Sequence, residues 1–297
     1  MNNTGLVVAS HGRHVWVEDA QGERRICHPR GKKNQAVVGD HVQWSASEDG
    51  GSIESIDKRR NLFYRQDEVR TKSFAANIDQ VLVLVAAEPD FSQSQLARAL
   101  IAARHEGIRT LIGLNKQDLS DAFAKAWQKL LPYQQLGCLV LPLSLKDHEQ
   151  DLIALNHELA DRVTLVLGPS GAGKSTLINR LVPHAKAATN TISQALQSGK
   201  HTTTSTTWYW VDEAKKTALM DSPGFQAFGL HHIAPNLLAS CMPDIAVHTD
   251  HCKFHNCSHV HEPDCGVRQA LLEHAIDPGR YKIYTELFAE LSAPTSY

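Results

Sequence analysis

The stretch "LVLGPSGAGKSTLINRL", residues 165–181, constrains the fold of this chain more than any other. It fills the pattern G-x4-G-K-[ST] with Gly168, Gly173, Lys174 and Ser175, and Thr176 follows. Gly171 adds a third glycine, while Pro169, Ser170 and Ala172 complete the loop. Apolar residues run in and a helical pattern runs out, so the loop joins a β-strand to an α-helix. Glycines let consecutive backbone N–H groups curl around a phosphate, and the helix aims its N-terminus at the same charge. Lys174 is then placed to reach the β- and γ-phosphates, and Ser175 to hold Mg2+.

The surrounding sequence has the matching alternation. Between about 74 and 230, "IDQVLVLVAA", "RTLIGLN", "CLVLPLS", "RVTLVLG", "TTWYWV" and "KTALMDSPG" read as strands. "SQSQLARALIAARHEG", "DAFAKAWQKLL", "DLIALNHELA" and "GKSTLINRLV" read as helices. Apolar strands separated by amphipathic helices predict a mainly parallel sheet covered on both faces.

Two further motifs identify the nucleotide. "DSPG" ends a predicted strand after the phosphate loop, so Asp221 can meet Mg2+ and the Gly224 N–H can sense a γ-phosphate. Asn115-Lys116-Gln117-Asp118 follows the strand "RTLIGL", at the strand end where ligands bind in open α/β sheets. The Asp118 carboxylate can accept from the paired N1–H and N2 amine of guanine, an arrangement adenine lacks. Asn115 and Lys116 would support the loop and cover the base. Ser144, after the next strand, takes the place of a second base-contacting motif that usually reads Ser-Ala; here Leu145 follows it.

The order of these motifs is unusual. The base motifs precede the phosphate loop, whereas an ordinary GTPase runs phosphate loop, switch I, switch II, then base motifs. Rotating the sequence converts one order into the other. The chain is therefore expected to be a circular permutation of one fold, which domains tolerate because their termini lie at the surface, often close together.

Switch I must lie within "SGKHTTTSTTWYW", residues 198–210. One of Thr202, Thr203 or Thr204 should coordinate Mg2+, with Thr204 preferred. Phe225 stands where many GTPases carry a water-orienting Gln, and Phe cannot orient water. His201 is the nearest polar candidate for that catalytic role, against a switch-stabilising or partner-contacting one.

The flanks differ in character. Residues 1–65 break into "GLVVAS", "HVWVEDA", "ERRICH", "VVGDHVQWS" and "GSIESID", five short strands that predict a small β-barrel. Gly5, Gly12, Gly22, Gly31 and Gly39 fall where turns or bulges are needed. Residues 66–230 then hold the GTPase domain and 231–297 a His/Cys-rich, then helical, domain. Within the last, Cys252-x4-Cys257-x-His259-x5-Cys265 suits one tetrahedral, structural Zn2+. His251, His255 and His261 compete with His259 for the nitrogen position. Cys27, Cys138 and Cys241 stand alone and read as packing residues. "VRQALLEHAI" and "GRYKIYTELFAEL" read as helices.

Six cysteines without an export signal favour metal binding over disulfides. No apolar run approaches a membrane span and "MNNTGLVVASHGRH" has no charged n-region, so no membrane association and a cytoplasmic location are expected. A net charge of −2 gives nucleic-acid binding no overall support, though the basic loops at 23–33 and 57–61 leave it open locally. From charge alone these are solvated basic loops.

Taken together, the barrel with "CHPRGKK" and "VVGDHV", NKQD, GPSGAGKST, GKHTTT, DSPGF and the closing Cys/His pattern resemble the ribosome small-subunit-dependent GTPase A family. The resemblance covers nearly the whole chain. It implies an N-terminal OB-fold, a permuted P-loop GTPase domain and a C-terminal zinc domain. It further implies late maturation of the 30S subunit, contacts with 16S rRNA, and GTP hydrolysis to GDP stimulated by the subunit. It favours a role for His201 and makes the basic barrel loops credible as rRNA contacts, and a monomer suffices. Three rival readings are a free-standing GTPase switch acting on a protein partner, a zinc/OB RNA-binding module with a vestigial GTPase domain, and an ATPase. Intact Lys174, Ser175, Asp221 and Asp118 count against the second, and NKQD against the third.

Overall fold

The computed structural model describes residues 3–11, 14–29, 35–47, 50–67, 71–146, 149–182, 185, 206–224 and 228–293. Five strands come first: β1 (Asn3–His11), β2 (His14–Glu18), β3 (Arg24–Pro29), β4 (His41–Ser47) and β5 (Gly50–Ile56). They pair in the order β1-β2-β3-β5-β4, and β4 returns to β1, closing the barrel. Alternating inward positions supply its core: Val7, Val15, Val17, Val42, Trp44 and Ile53. This is the expected OB-fold barrel. Gly22 and Gly39 do occupy turns, with φ of 84° and 94°. Gly5 does not: it lies inside β1, where a Cβ would come within 2.3 Å of the Val17 side chain.

A hairpin of β6 (Leu62–Gln66) and β7 (Thr71–Ala76) follows the barrel as a separate two-stranded sheet. Sequence periodicity does not predict this hairpin, because Phe63 and Phe74 are too far apart to show a period. Their rings meet only in the fold, 6.0 Å apart, and both face Phe228.

The central sheet contains β8 (Gln80–Ala86), β9 (Arg109–Asn115), β10 (Leu139–Pro142), β11 (Val163–Leu167), β12 (Thr207–Trp210) and β13 (Ala218–Asp221). Its order is β10-β9-β8-β11-β13-β12, parallel throughout except for the antiparallel edge β12. Strand β8 is buried on both faces: Val81, Val83 and Val85 enter one core, Leu82 and Leu84 the other. The first core is covered by α1 (Gln93–His105) and α2 (Ser120–Gln135), the second by α3 (Glu149–Leu159) and α4 (Lys174–Leu181). Strand β12 also pairs with β1, Ala9 opposite Thr207, so barrel and central sheet are hydrogen-bonded into one eleven-stranded sheet.

The C-terminal residues pack on the α1/α2 side and share its core. They form 3-10 turns at Pro235–Leu237, Ala239–Cys241 and Thr249–His251, then helices α5 (Pro243–Ala246), α6 (Gly266–Leu272) and α7 (Pro278–Ser292). The helix expected over 267–276 stops at Leu272; His274 adopts φ 58°, a left-handed conformation that ends a helix. Buried Arg280 pairs with Asp244 through two 2.8 Å hydrogen bonds and lies 4.8 Å over the Tyr133 ring, fixing α7 to α2. Cys27 and Cys241 are buried and Cys138 half-buried, none in a disulfide. Among the described residues, no helix is long and apolar enough to cross a membrane.

Candidate functional site

The phosphate-loop motif joins β11 to α4, as the sequence requires. Two glycines are forced by close approach. A Cβ on Gly168 would stand 2.1 Å from the Leu84 carbonyl oxygen; one on Gly173, at φ 105°, would stand 2.4 Å from Asn115 Nδ2. Lys174 Nζ donates to the Gly168 and Pro169 carbonyls at 2.8 and 2.9 Å. Burial lowers the pKa of Lys174, and nearby Asp221 opposes this. Ser170, Ser175 and Thr176 are exposed on the open side of the loop.

Asp221, at the end of β13, is buried; burial pushes its pKa up to about 6, with Lys174 pulling the other way. Its Oδ1 has no hydrogen-bond partner among the described residues. A buried carboxylate oxygen of this kind fits a hard cation such as Mg2+, which takes oxygen ligands directly or through water. Gly224 approaches the phosphate loop: a Cβ there would lie 3.3 Å from Lys174 Nζ and 3.5 Å from the Ser170 nitrogen. Adjacent Ser222 donates to the Val166 carbonyl at 2.7 Å, tying the motif to the strand that carries the loop.

The permuted base motif arrives at the same edge. Asn115 ends β9 and is buried. Its Nδ2 donates to the Ala172 carbonyl at 2.9 Å, and its Oδ1 accepts from the backbone of Lys116 at 2.7 Å and Leu145 at 3.2 Å. One side chain thus joins all three loops. Lys116 takes φ 69° and its Nζ donates to the Glu88 carbonyl; Gln117 and Asp118 are exposed. Ser144 is fully buried; its N–H donates to Asp151 at 2.8 Å, and its hydroxyl has no partner among the described residues. Leu145 buries its side chain in the α3/α4 core, so its departure from Ala puts no side chain into the site.

Several contributors escaped the sequence. Glu88 and Pro89 follow β8, and Pro89 approaches Gly171, with 3.2 Å from its Cδ to an added Cβ. Asp151 and Arg180 come together only in the fold, at Ser144–Leu145, where Arg180 donates to the Leu145 carbonyl at 2.8 Å. The turn signal "EPD" at a strand's carboxyl end was the one available clue. His201, Thr202, Thr203, Thr204 and Phe225 lie outside the described residues.

The second cluster is remote in sequence. Cys252, Cys257, His259 and Cys265 bring their ligand atoms within 4.8 Å of one another. Cys252 Sγ lies 3.4 Å from His259 Nδ1 and 3.8 Å from Cys265 Sγ, and Cys265 Sγ is 3.6 Å from that Nδ1. Tetrahedral ligands at about 2.3 Å for sulfur and about 2.0 Å for nitrogen would be separated by about 3.8 and 3.5 Å. The cluster can therefore hold a metal ion. Burial, then the neighbouring thiols, raise the pKa of Cys257, and burial lowers that of His259. His259 has φ 63°, and the Tyr281 and Tyr284 hydroxyls donate to the His259 and Ser258 carbonyls at 2.8 Å.

Strand order, phosphate loop and displaced base motif define a circularly permuted GTPase. The family model described as RsgA GTPase matches residues 56–231. A small ribosomal subunit biogenesis GTPase RsgA of Variovorax paradoxus is 66% identical, covering 97% of this chain and 92% of that protein. The protein of the same name from Bordetella pertussis is 48% identical over 99% and 98%. Among solved structures, YjeQ from Thermotoga maritima matches with a TM-score of 0.74 at 28% identity, covering 99% and 100% of the two chains. YloQ, a circularly permuted GTPase, matches with a TM-score of 0.71 at 25% identity, covering 100% and 98%. The chain belongs to the RsgA GTPase family, and its activity is the hydrolysis of GTP.

Proposed function

We propose that this GTPase binds the small (30S) ribosomal subunit through 16S rRNA and acts in its late maturation. Hydrolysis of GTP to GDP and phosphate is stimulated by the subunit. The supporting observation is the relative named for small ribosomal subunit biogenesis, 66% identical across 97% of this chain. The protein works in the cytoplasm as a monomer.

In this reading Asp118 pairs with the guanine N1–H and N2 amine, Lys116 and Gln117 flank the base, and Ser144 closes the pocket. The backbone from Gly168 to Thr176 cradles the phosphates, with Lys174 turning from its carbonyl partners to the β- and γ-oxygens. Ser175, Thr204 and Asp221 would hold Mg2+, which neutralises phosphate charge when bound. Gly224 reports the γ-phosphate, and His201 places the attacking water. Cys252, Cys257, His259 and Cys265 hold one structural Zn2+; four protein ligands leave it no position for catalysis.

The deciding measurement is GTP turnover with and without purified 30S subunits, using Lys174→Ala as the blank. Turnover raised at least tenfold by 30S, and not by 50S, is the expected result. Brisk turnover indifferent to the subunit would favour a free-standing GTPase switch instead.

A further inference from the structure

Leu145 cannot contact a base through its side chain, which is buried between α3 and α4. The Ser144 and Leu145 N–H groups are spent on protein acceptors, so the main-chain donor this turn can offer a nucleotide is the N–H of Lys146, and the placement of the turn decides that contact. Three side chains from three elements set that placement. Asp151, in the first turn of α3, accepts the Ser144 N–H at 2.8 Å. Asn115, at the end of β9, accepts the Leu145 N–H at 3.2 Å. Arg180, in the last turn of α4, donates to the Leu145 carbonyl at 2.8 Å. Below the loop, the Gln117 N–H donates to the Leu143 carbonyl at 3.1 Å, fixing it against the base motif.

We infer that Asp151 and Arg180 are positioning residues for guanine recognition, holding the Ser144–Lys146 backbone against the 6-oxo edge of the base. This rests on the reading of Asn115–Asp118 and Ser144 as the base site. Guanine presents an acceptor at position 6 where adenine presents an amine donor, so a fixed Lys146 N–H there favours one and opposes the other. A loop held at one end would fit either base by moving. Charged partners on both the donor and the acceptor side make these the stronger class of hydrogen bond. Arg180 adds a second consequence: it lies on the helix that begins with the phosphate loop, so base loop and phosphate loop keep one spacing.

The test is nucleotide affinity of the full chain for GDP and for 6-thioguanosine diphosphate. The latter keeps the N1–H and the 2-amine and replaces the 6-oxygen with a weak acceptor. Asp151→Ala and Arg180→Ala should each weaken GDP binding about tenfold and 6-thioguanosine diphosphate binding less than twofold. Asp151→Asn, which keeps an acceptor oxygen and the side-chain volume, should restore most of the GDP affinity. Equal losses for both nucleotides, or an unchanged GDP affinity, would overturn the assignment by reducing both residues to structural supports. If the unmodified protein binds both nucleotides equally, there is no 6-oxo contact and the inference falls; if it binds ADP as tightly as GDP, the base site itself has been misread.

Discussion

Asn115 shows how much of this site depends on single side chains. Its amide spends both ends on protein, joining the Ala172 carbonyl of the phosphate loop to the backbone of Leu145. In the proposed function, the N1–H and 2-amine of the base are then left to exposed Asp118. Asp118→Asn replaces a pure acceptor with an amide that can donate. Xanthine carries an oxygen where guanine carries its 2-amine, so this variant should lose at least tenfold in GDP affinity and gain for xanthosine diphosphate. Competition binding with the two nucleotides checks it; a variant that loses both equally would place Asp118 outside base recognition.

At the scale of elements, strand β12 and the segment at Phe228 are both held by neighbouring elements. Strand β12, downstream of the switch I segment, pairs along its outer edge with barrel strand β1. Glu18 of β2 reinforces the junction: it accepts from Trp210 Nε1 at 2.8 Å and Lys215 Nζ at 2.7 Å, and from Arg24 at 2.8 Å. Burial raises the pKa of Glu18, but the Lys215, Trp210 and Arg24 hydrogen bonds outweigh it and hold the carboxyl below its ordinary 4.5. A carboxyl depressed in the folded state stabilises above 4.5, and that contribution is lost as pH falls through the depressed value. Trp210 fluorescence should therefore hold steady down to about pH 4.5 and change below it, whereas Glu18→Gln should flatten the transition. An identical acid transition in the variant would remove Glu18 from the junction. On the other side, Phe228 follows the Asp221–Gly224 motif and lies with its ring 5.8 Å from Phe63 and 5.9 Å from Phe74 of the β6–β7 hairpin. Phe228→Ala should cost about 3–5 kcal/mol in denaturant unfolding and speed hydrogen exchange over residues 228–233. A loss under about 1 kcal/mol would mean that the hairpin does not anchor the segment.

The whole molecule is built as a docked series. The barrel extends the central sheet, and the C-terminal helices share the α1/α2 core. Arg280 with Asp244 and Tyr133, and Arg98 with Glu290 and the Phe228 carbonyl, tie the last helix to that face. The Cys/His cluster lies beyond these ties and depends on α7 through Tyr281 and Tyr284. Removing the metal should therefore leave GDP affinity within about twofold and lower the melting temperature by on the order of 10 °C. Elemental analysis should give one zinc per chain before treatment, and hydrogen exchange should rise between 252 and 284. Loss of nucleotide binding on chelation would instead mean that the cluster and the GTPase core fold as one unit.

Much of this was legible beforehand because it is local. A phosphate loop needs glycines, a lysine and a hydroxyl in a fixed order, and a metal cluster needs close cysteines, so spacing alone carries both. Alternating and helical periods gave the barrel strands and the central elements. Motif order even indicated the permutation, since a rotated chain still builds the same sheet. The tertiary structure decided what depends on distant groups. Phe63, Phe74 and Phe228 form one cluster from separate segments, Glu18 meets Trp210 across the junction of the barrel with the central strands, and Asp151 and Arg180 leave two different helices to hold one turn. None of these pairs has a sequence period, because each is set by how whole elements dock.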